Sequence, residues 1–370
     1  MRILLYSFPP VPPVWNWFQD FLIALVREAI SARIDQRDPR AWGDIVPSDR
    51  RVALKRRYGL RRRYESLCES TAGLGAEYME SLREYLDLDD YFDRVLGGEF
   101  SLPTSRSASN FASDLAALFT FGFGLLAELE HSSEAGISVR DQLYRRAYDF
   151  MPGHFCPFCG IDRFDPPHPR FPRHALDHYL PISRYPLFGA HLANLVPMCD
   201  RCNSSFKMDE DILRDHGEPR LCVNPHEGPT ARISLLGSEP FGAGGSISIP
   251  NWSIEFVPSR PEFETWDSVF RIRLRYTESV LNAEYEAWLE QFAAWAVDAR
   301  IQIVSNIDAR DALGRWAQLC PELEDRGFLK RPAFEMLAAA AMRPDATGRR
   351  VTDLVRSLCE INALSECSPS

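Results

Sequence analysis

The chain has 370 residues, 45% hydrophobic and 25% charged, the make-up of an ordinary globular protein long enough for two or three domains. Its formal net charge of −10 repels nucleic acid as a whole, so any nucleic-acid-binding face must be a local basic patch or come from a partner. The opening MRILLYSFPPVPP is too short in apolar residues for a signal peptide, and no run approaches the roughly 18 apolar residues of a membrane span, so a cytoplasmic protein is expected.

From Trp15 to Ile30, the residues Phe18, Phe21, Leu22, Leu25, Val26 and Ile30 recur at helical spacing, with Asp20, Arg27 and Glu28 off the stripe. That predicts an amphipathic helix. Arg50, Arg51, Lys55, Arg56, Arg57, Arg61, Arg62 and Arg63 then crowd into one stretch with Tyr58 and Tyr64 interleaved, which reads as a solvated helix face or a phosphate-contacting patch. The acidic stretch from Glu77 to Asp93 is expected to fold as a helix around Tyr78, Leu82, Tyr85 and Leu86 and to answer the basic run by ion pairing. A Ser-rich break, Leu102 to Asn110, precedes a buried helix over Phe111 to Leu129, and a last helical turn or two covers Gln142 to Phe150. Residues 1–150 are thus a mostly helical N-terminal region.

The stretch from His154 to Lys207 is different in kind. Cys156/Cys159 and Cys199/Cys202 are two Cys-x-x-Cys pairs, the spacing that wraps a tetrahedral ion in a closed four-sulfur shell, with a structural zinc as the economical occupant. The other five cysteines are scattered singly, which argues against a disulfide framework. Between the pairs, Ala175 to Pro181 reads as a short strand bearing Asp177-His178, and Leu195 to Met198 as a second apolar run. After Cys202, Asn203-Ser204-Ser205 can start a helix that continues to Leu213. The order is knuckle, strand, loop, strand, knuckle, helix.

On those residues the segment resembles the HNH endonucleases. Their small ββα-metal core carries a histidine on the first strand, an asparagine in the loop before the second, and a further Asn or His at the helix start. Asp177-His178, Asn194 and Asn203 stand at those places, flanked by knuckles as in many members. The resemblance implies a metal-dependent endonuclease acting on DNA, with a role in restriction or anti-phage defence alongside an ATPase or sensor partner. It also makes Asn194 an orienting residue that holds the loop or the His178 ring.

The chemistry asks for these residue types. Hydrolysing a phosphodiester needs a water activated near neutral pH and positive charge at the phosphate and leaving oxygens. Neutral His178 suits the role of general base, and Asp177 and Asn203 offer hard oxygen ligands for Mg²⁺ or a similar divalent ion. Adjacent strand residues point to opposite faces, so either the strand bulges at Asp177-His178 or base and metal act from opposite sides of the phosphate. His154, His168, His174 and His191 lie in the same segment and are read as exposed or structural, while His226, in Asn224-Pro225-His226, could reach metal or substrate or simply close a turn.

Residues 151–230 form this core, and 231–370 a C-terminal region of short strands followed by helices. Strands at Arg232 to Leu236 and Ile247 to Phe256 flank a Gly-rich turn, Gly237 to Gly245. Phe270 to Tyr276 alternates strictly, placing Arg271, Arg273 and Arg275 on one strand face, either solvent-facing or phosphate-binding. Helices are predicted from Glu278 through Trp295, at Leu313 to Leu319, Pro332 to Met342 and Val351 to Ile361, with a frayed tail after Ser365. The predicted class is α+β, mostly α, around a central ββα-metal core. Two further readings stand beside the DNA endonuclease: a zinc-containing nucleic-acid-binding module without catalysis, and a nuclease of the same type acting on RNA, because such a core reads backbone phosphate rather than base or sugar.

Overall fold

The computed structural model describes residues 8–87, 91–98, 109–131, 134–168, 170–171, 176–242, 249–322, 324 and 326–366. It divides into two compact units, one formed by Tyr6–Cys156 with Asp162–Pro229, the other by Thr230–Ser370 with the short piece Pro157–Ile161. Helices dominate both, and the described strands pair only as small two-stranded antiparallel sheets. His174, the Ser-rich break, most of the Gly-rich turn and the end of the tail lie outside the described residues.

In the first unit, α1 (Trp17–Ile34) buries the whole predicted stripe from Phe18 to Ile30. Helix α2 (Tyr58–Ser70) carries the end of the basic run, burying Leu60, Tyr64 and Leu67 and leaving Arg61 and Arg62 exposed. Helices α3 (Ala76–Leu86), α4 (Ser109–Leu125) and α5 (Val139–Phe150) follow. Helix α1 packs on α2, α3 and α4, and α4 packs on α2 and on the turn Pro186–Phe188. Among the described residues, the ion pairs of the acidic stretch and the basic run go elsewhere. Arg57 pairs with Glu128 and Arg61 with Glu65 of its own helix, whereas Asp87 pairs with Arg27 of α1 at 2.8 Å.

The same unit holds a small hairpin. Strand β1 (Leu176–His178) pairs antiparallel with β2 (Leu195–Pro197) in the register Leu176 to Pro197, Asp177 to Val196 and His178 to Leu195. The ladder has no bulge there. A π-helical turn, Arg201–Lys207, starts within the second knuckle and stops at Met208, whose φ is 45°, instead of continuing to Leu213. Asp209, Glu210 and Asp211 come next, and a run of carboxylates is unfavourable at the negative end of a helix dipole.

In the second unit, β3 (Arg232–Ser234) and β4 (Glu255–Val257) form the expected hairpin pairing. Then come α6 (Pro261–Phe270), α7 (Ile272–Tyr276), α8 (Asn282–Asp298), α9 (Asn306–Leu319), α10 (Gly327–Ala341) and α11 (Ala346–Glu366). The last four pack together around Trp288, Phe292 and Phe334. Pro332 sits inside α10.

The alternating run Phe270 to Tyr276 is not a strand. Helix α6 ends at Phe270, Arg271 takes a left-handed φ of 53°, and α7 begins at Ile272. Pro261 at the first helical position and Glu262 and Glu264 in the first turn favour the helix from its start. Helical geometry then buries Phe270, Ile272 and Tyr276 inside the unit, where Tyr276 Oη donates to Cys159 O at 2.9 Å and Trp266 Nε1 donates to Phe158 O at 2.9 Å. Tertiary burial overrides the period-two pattern.

Candidate functional site

Cys156, Cys159, Cys199 and Cys202 are all buried, and their sulfurs lie within 4.8 Å of one another. Both knuckles have their backbone aimed at sulfur: Ile161 N–H donates to Cys159 Sγ and Cys202 N–H to Cys199 Sγ, each at 3.4 Å. Cys156 Sγ and Cys202 Sγ are 3.8 Å apart, far beyond a disulfide bond and close to the roughly 3.8 Å edge of a tetrahedron with zinc–sulfur bonds of about 2.3 Å. Donor set, burial and spacing therefore fit a metal ion such as zinc.

The β1–β2 hairpin presents two chemically distinct faces. On one, His178 is 9% exposed, its ring centroid 4.4 Å from that of Phe123 on α4. His178 Nε2 lies 2.8 Å from Gly189 O. A carbonyl only accepts, so Nε2 carries the proton and Nδ1 is left as the basic nitrogen. Burial holds the imidazole pKa below its usual value, against the opposing pull of the Gly189 bond and the Asp177 charge. The chain comes close at Gly189, where a Cβ would lie 2.5 Å from Ile182 Cδ1 and 3.1 Å from Phe119 Cβ.

Asn194 sits fully buried beneath this face. Its Oδ1 accepts from Leu180 N–H at 2.7 Å, and its Nδ2 donates to Leu180 O and Phe188 O, both at 3.1 Å. Those bonds tie the end of β1 to the turn that precedes Gly189.

On the other face, Asp177 meets residues of the π-helical turn. Lys207 Nζ is 2.7 Å from Asp177 Oδ2, with the lysine side chain 1% and the aspartate 18% exposed. The terminal amide of Asn203 lies beside the same carboxylate. With its nitrogen turned inward it donates to Asp177 Oδ1 and Oδ2 at 3.1 and 3.2 Å. With its oxygen inward, carboxylate and amide oxygens stand about as far apart as neighbouring ligands of an octahedral ion with bonds of about 2.1 Å. Asp177 and Asn203 thus fit a hard divalent ion, and the amide can satisfy the carboxylate without one.

Sequence reasoning missed Lys207, Arg140 and Phe123. Lys207 carried a readable signal, since it falls one turn after Asn203. Arg140 of α5 stacks its guanidinium 4.3 Å over Phe123, whose ring covers His178, and nothing local in the sequence foretells that.

Other anticipated residues are placed elsewhere in function. Arg271, Arg273 and Arg275 do not share a face: Arg271 is exposed, Arg275 is 2% exposed, and Arg273 binds Glu264 at 2.7 Å and Asp267 at 2.8 Å while stacking on Phe256. His226 has Nδ1 3.2 Å from Pro9 O and Nε2 2.9 Å from Ala193 O, so both ring nitrogens face backbone carbonyls, one of which the single N–H of a neutral ring can bond. His191 stacks on Phe92 with burial pushing its pKa down to about 3, and His154 stacks on Tyr148. His168 is exposed, as expected, with Nδ1 accepting from Arg170 N–H.

No family model matches the chain, and no solved structure matches it. Among curated proteins it is similar to protein ea31 of Escherichia phage lambda, with 36% identity over 84 residues that make up 22% of this chain and 25% of that protein. The likeness therefore spans about a quarter of the relative's length. No helix among the described residues is long and apolar enough to cross a membrane.

Proposed function

We propose that this chain is a divalent-metal-dependent endonuclease of the HNH type, hydrolysing phosphodiester bonds in DNA, with zinc held by the four cysteines. The observation that carries this reading is the meeting of Asp177 and Asn203 at one point, with the adjacent residue His178 presenting an imidazole whose proton position is already fixed. Bound there, a divalent ion would supply positive charge to the scissile phosphate and the leaving oxygen. The protein's own groups do the rest. Gly189 O holds the Nε2 proton, so Nδ1 of His178 can take the proton of an attacking water. Asn194 fixes the loop that carries Gly189. Asp177 and His178 leave the strand on opposite faces, which suits base and metal acting from opposite sides of an in-line displacement.

The exposed cations Arg51, Lys55, Arg56 and Arg62 offer phosphate contacts that the net charge of −10 otherwise lacks. A place in restriction or anti-phage defence, with an ATPase or sensor partner, rests on the family resemblance alone. The test is nicking of supercoiled plasmid in Mg²⁺ or Mn²⁺ by the purified chain and by His178→Ala, with a labelled RNA as a parallel substrate. Divalent-dependent cleavage by the unaltered chain only is the expected result, and equal cleavage by both proteins defeats the assignment. A second reading, a zinc module that binds nucleic acid without cutting it, is favoured by the Asp177–Lys207 ion pair, which satisfies the carboxylate without a metal. Binding without cleavage by either protein supports that one.

A further inference from the structure

The sequence pattern puts two hard ligands at the cleavage centre; the fold adds a buried ammonium to them. Lys207 is among the largest fully buried side chains of the molecule, and its Nζ reaches the metal-facing carboxylate at 2.7 Å. It is delivered there by the π-helical turn, in which Met208 N–H bonds back to Asn203 O at 2.8 Å and the wider turn keeps Asn203 and Lys207 on one side. The one carboxylate at this point, Asp177, is thus matched by one buried ammonium, Lys207, and its charge is already balanced before any divalent ion arrives. Protein sites that retain Mg²⁺ by themselves rely on carboxylates, and otherwise substrate phosphate completes the shell. Here one carboxylate is already shared with an ammonium, so a dication entering alone meets like charge, while a dication entering with a phosphodiester does not.

We propose that Lys207 is a positioning residue that makes metal binding at Asp177 and Asn203 conditional on the scissile phosphate. It holds the Asp177 carboxylate in place and opposes occupation by a divalent ion until DNA brings negative charge. The consequence is a nuclease that does not carry its catalytic ion at rest. The inference builds on the endonuclease reading and deepens it.

The experiment uses the full zinc-loaded chain in a His178→Ala background, so that DNA is not consumed. Free Mn²⁺ is followed by electron paramagnetic resonance in the absence of DNA, and binding of a fluorescent duplex is followed by anisotropy with and without Mn²⁺. Because coupling is reciprocal, Mn²⁺ should tighten duplex binding by about tenfold or more when Lys207 is present. Lys207→Met should raise Mn²⁺ affinity without DNA by about tenfold and reduce the coupling to near unity, and Lys207→Arg should preserve the coupling. A merely structural lysine would not do this: its loss would weaken metal and duplex together. Unchanged Mn²⁺ affinity in Lys207→Met, or coupling that survives it, overturns the inference and leaves the endonuclease reading standing. If Lys207→Met fails to melt cooperatively, the parent protein decides alone, and tight Mn²⁺ binding without DNA overturns the proposal. Absence of any Mn²⁺ effect on duplex binding in the parent overturns the inference as well, while the plasmid-nicking assay decides the endonuclease reading separately.

Discussion

A histidine serves as a base near neutral pH only if its uncharged form is kept and the correct nitrogen is left bare, and the surroundings of His178 do both. Burial against Phe123 depresses its pKa below the ordinary 6.5, and Gly189 O claims Nε2. If His178 is the base, the cleavage rate should be flat from pH 7 to 8 and fall tenfold per unit only at a pH below 6.5; a profile that breaks above pH 7 would assign the base elsewhere. Stability has the same sign. The unfolded chain binds the His178 proton more readily, so this contribution is present above the unfolded pKa and is lost as pH falls from there through the depressed folded value. Asn194 acts at the same scale, through three buried hydrogen bonds. Asn194→Ala would leave the Leu180 N–H and Leu180 O without a partner, Phe188 O keeping its bond from His191 N–H, and urea unfolding should register a loss of about 2–4 kcal/mol. A loss under about 0.5 kcal/mol would mean that water replaces the side chain there.

Among the elements, the two knuckles carry the clearest consequence. Four buried thiols at this separation, with backbone N–H groups turned toward Cys159 and Cys199, are costly to keep together unless an ion joins them. Purified protein should hold one zinc by elemental analysis. Cys199→Ser or a strong chelator should remove it and lower the melting temperature by about 5 °C or more, since metal binding here is folding free energy. An unchanged melting curve after complete zinc removal would count against a structural ion. The run Phe270 to Tyr276 shows the opposite lesson at this scale. Alternation in the sequence is genuine, yet α6 and α7 bury Phe270, Ile272 and Tyr276 by helical geometry, and Arg273 is spent on Glu264 and Asp267.

At the scale of the whole molecule, charge is the issue. A chain of net charge −10 must concentrate whatever attracts DNA, and Arg51, Lys55, Arg56 and Arg62 stand exposed within one short stretch of the first unit. The later part of that run lies on α2, which packs on α4, and α4 is the helix whose Phe123 covers His178. Replacing Arg56 and Arg62 by glutamate should weaken duplex binding for every sequence alike. It should also flatten the dependence of log affinity on log salt by about 0.9 for each phosphate no longer neutralised. An identical salt slope would return the run to the status of a solvated helix face.

By itself the sequence determined the features that short-range spacing encodes: α1 with its buried stripe, the order of knuckles and strands, and the four cysteines that meet. Such features depend on residues a turn or a strand apart, where backbone geometry leaves few alternatives. The tertiary structure alone decided which charged groups are committed and which remain available. Lys207 becomes the partner of Asp177, the arginines from 271 to 275 are divided between burial, ion pairing and solvent, and Gly189 O selects the tautomer of His178. Those outcomes are set by burial and by partners distant along the chain, which no local pattern of residues records.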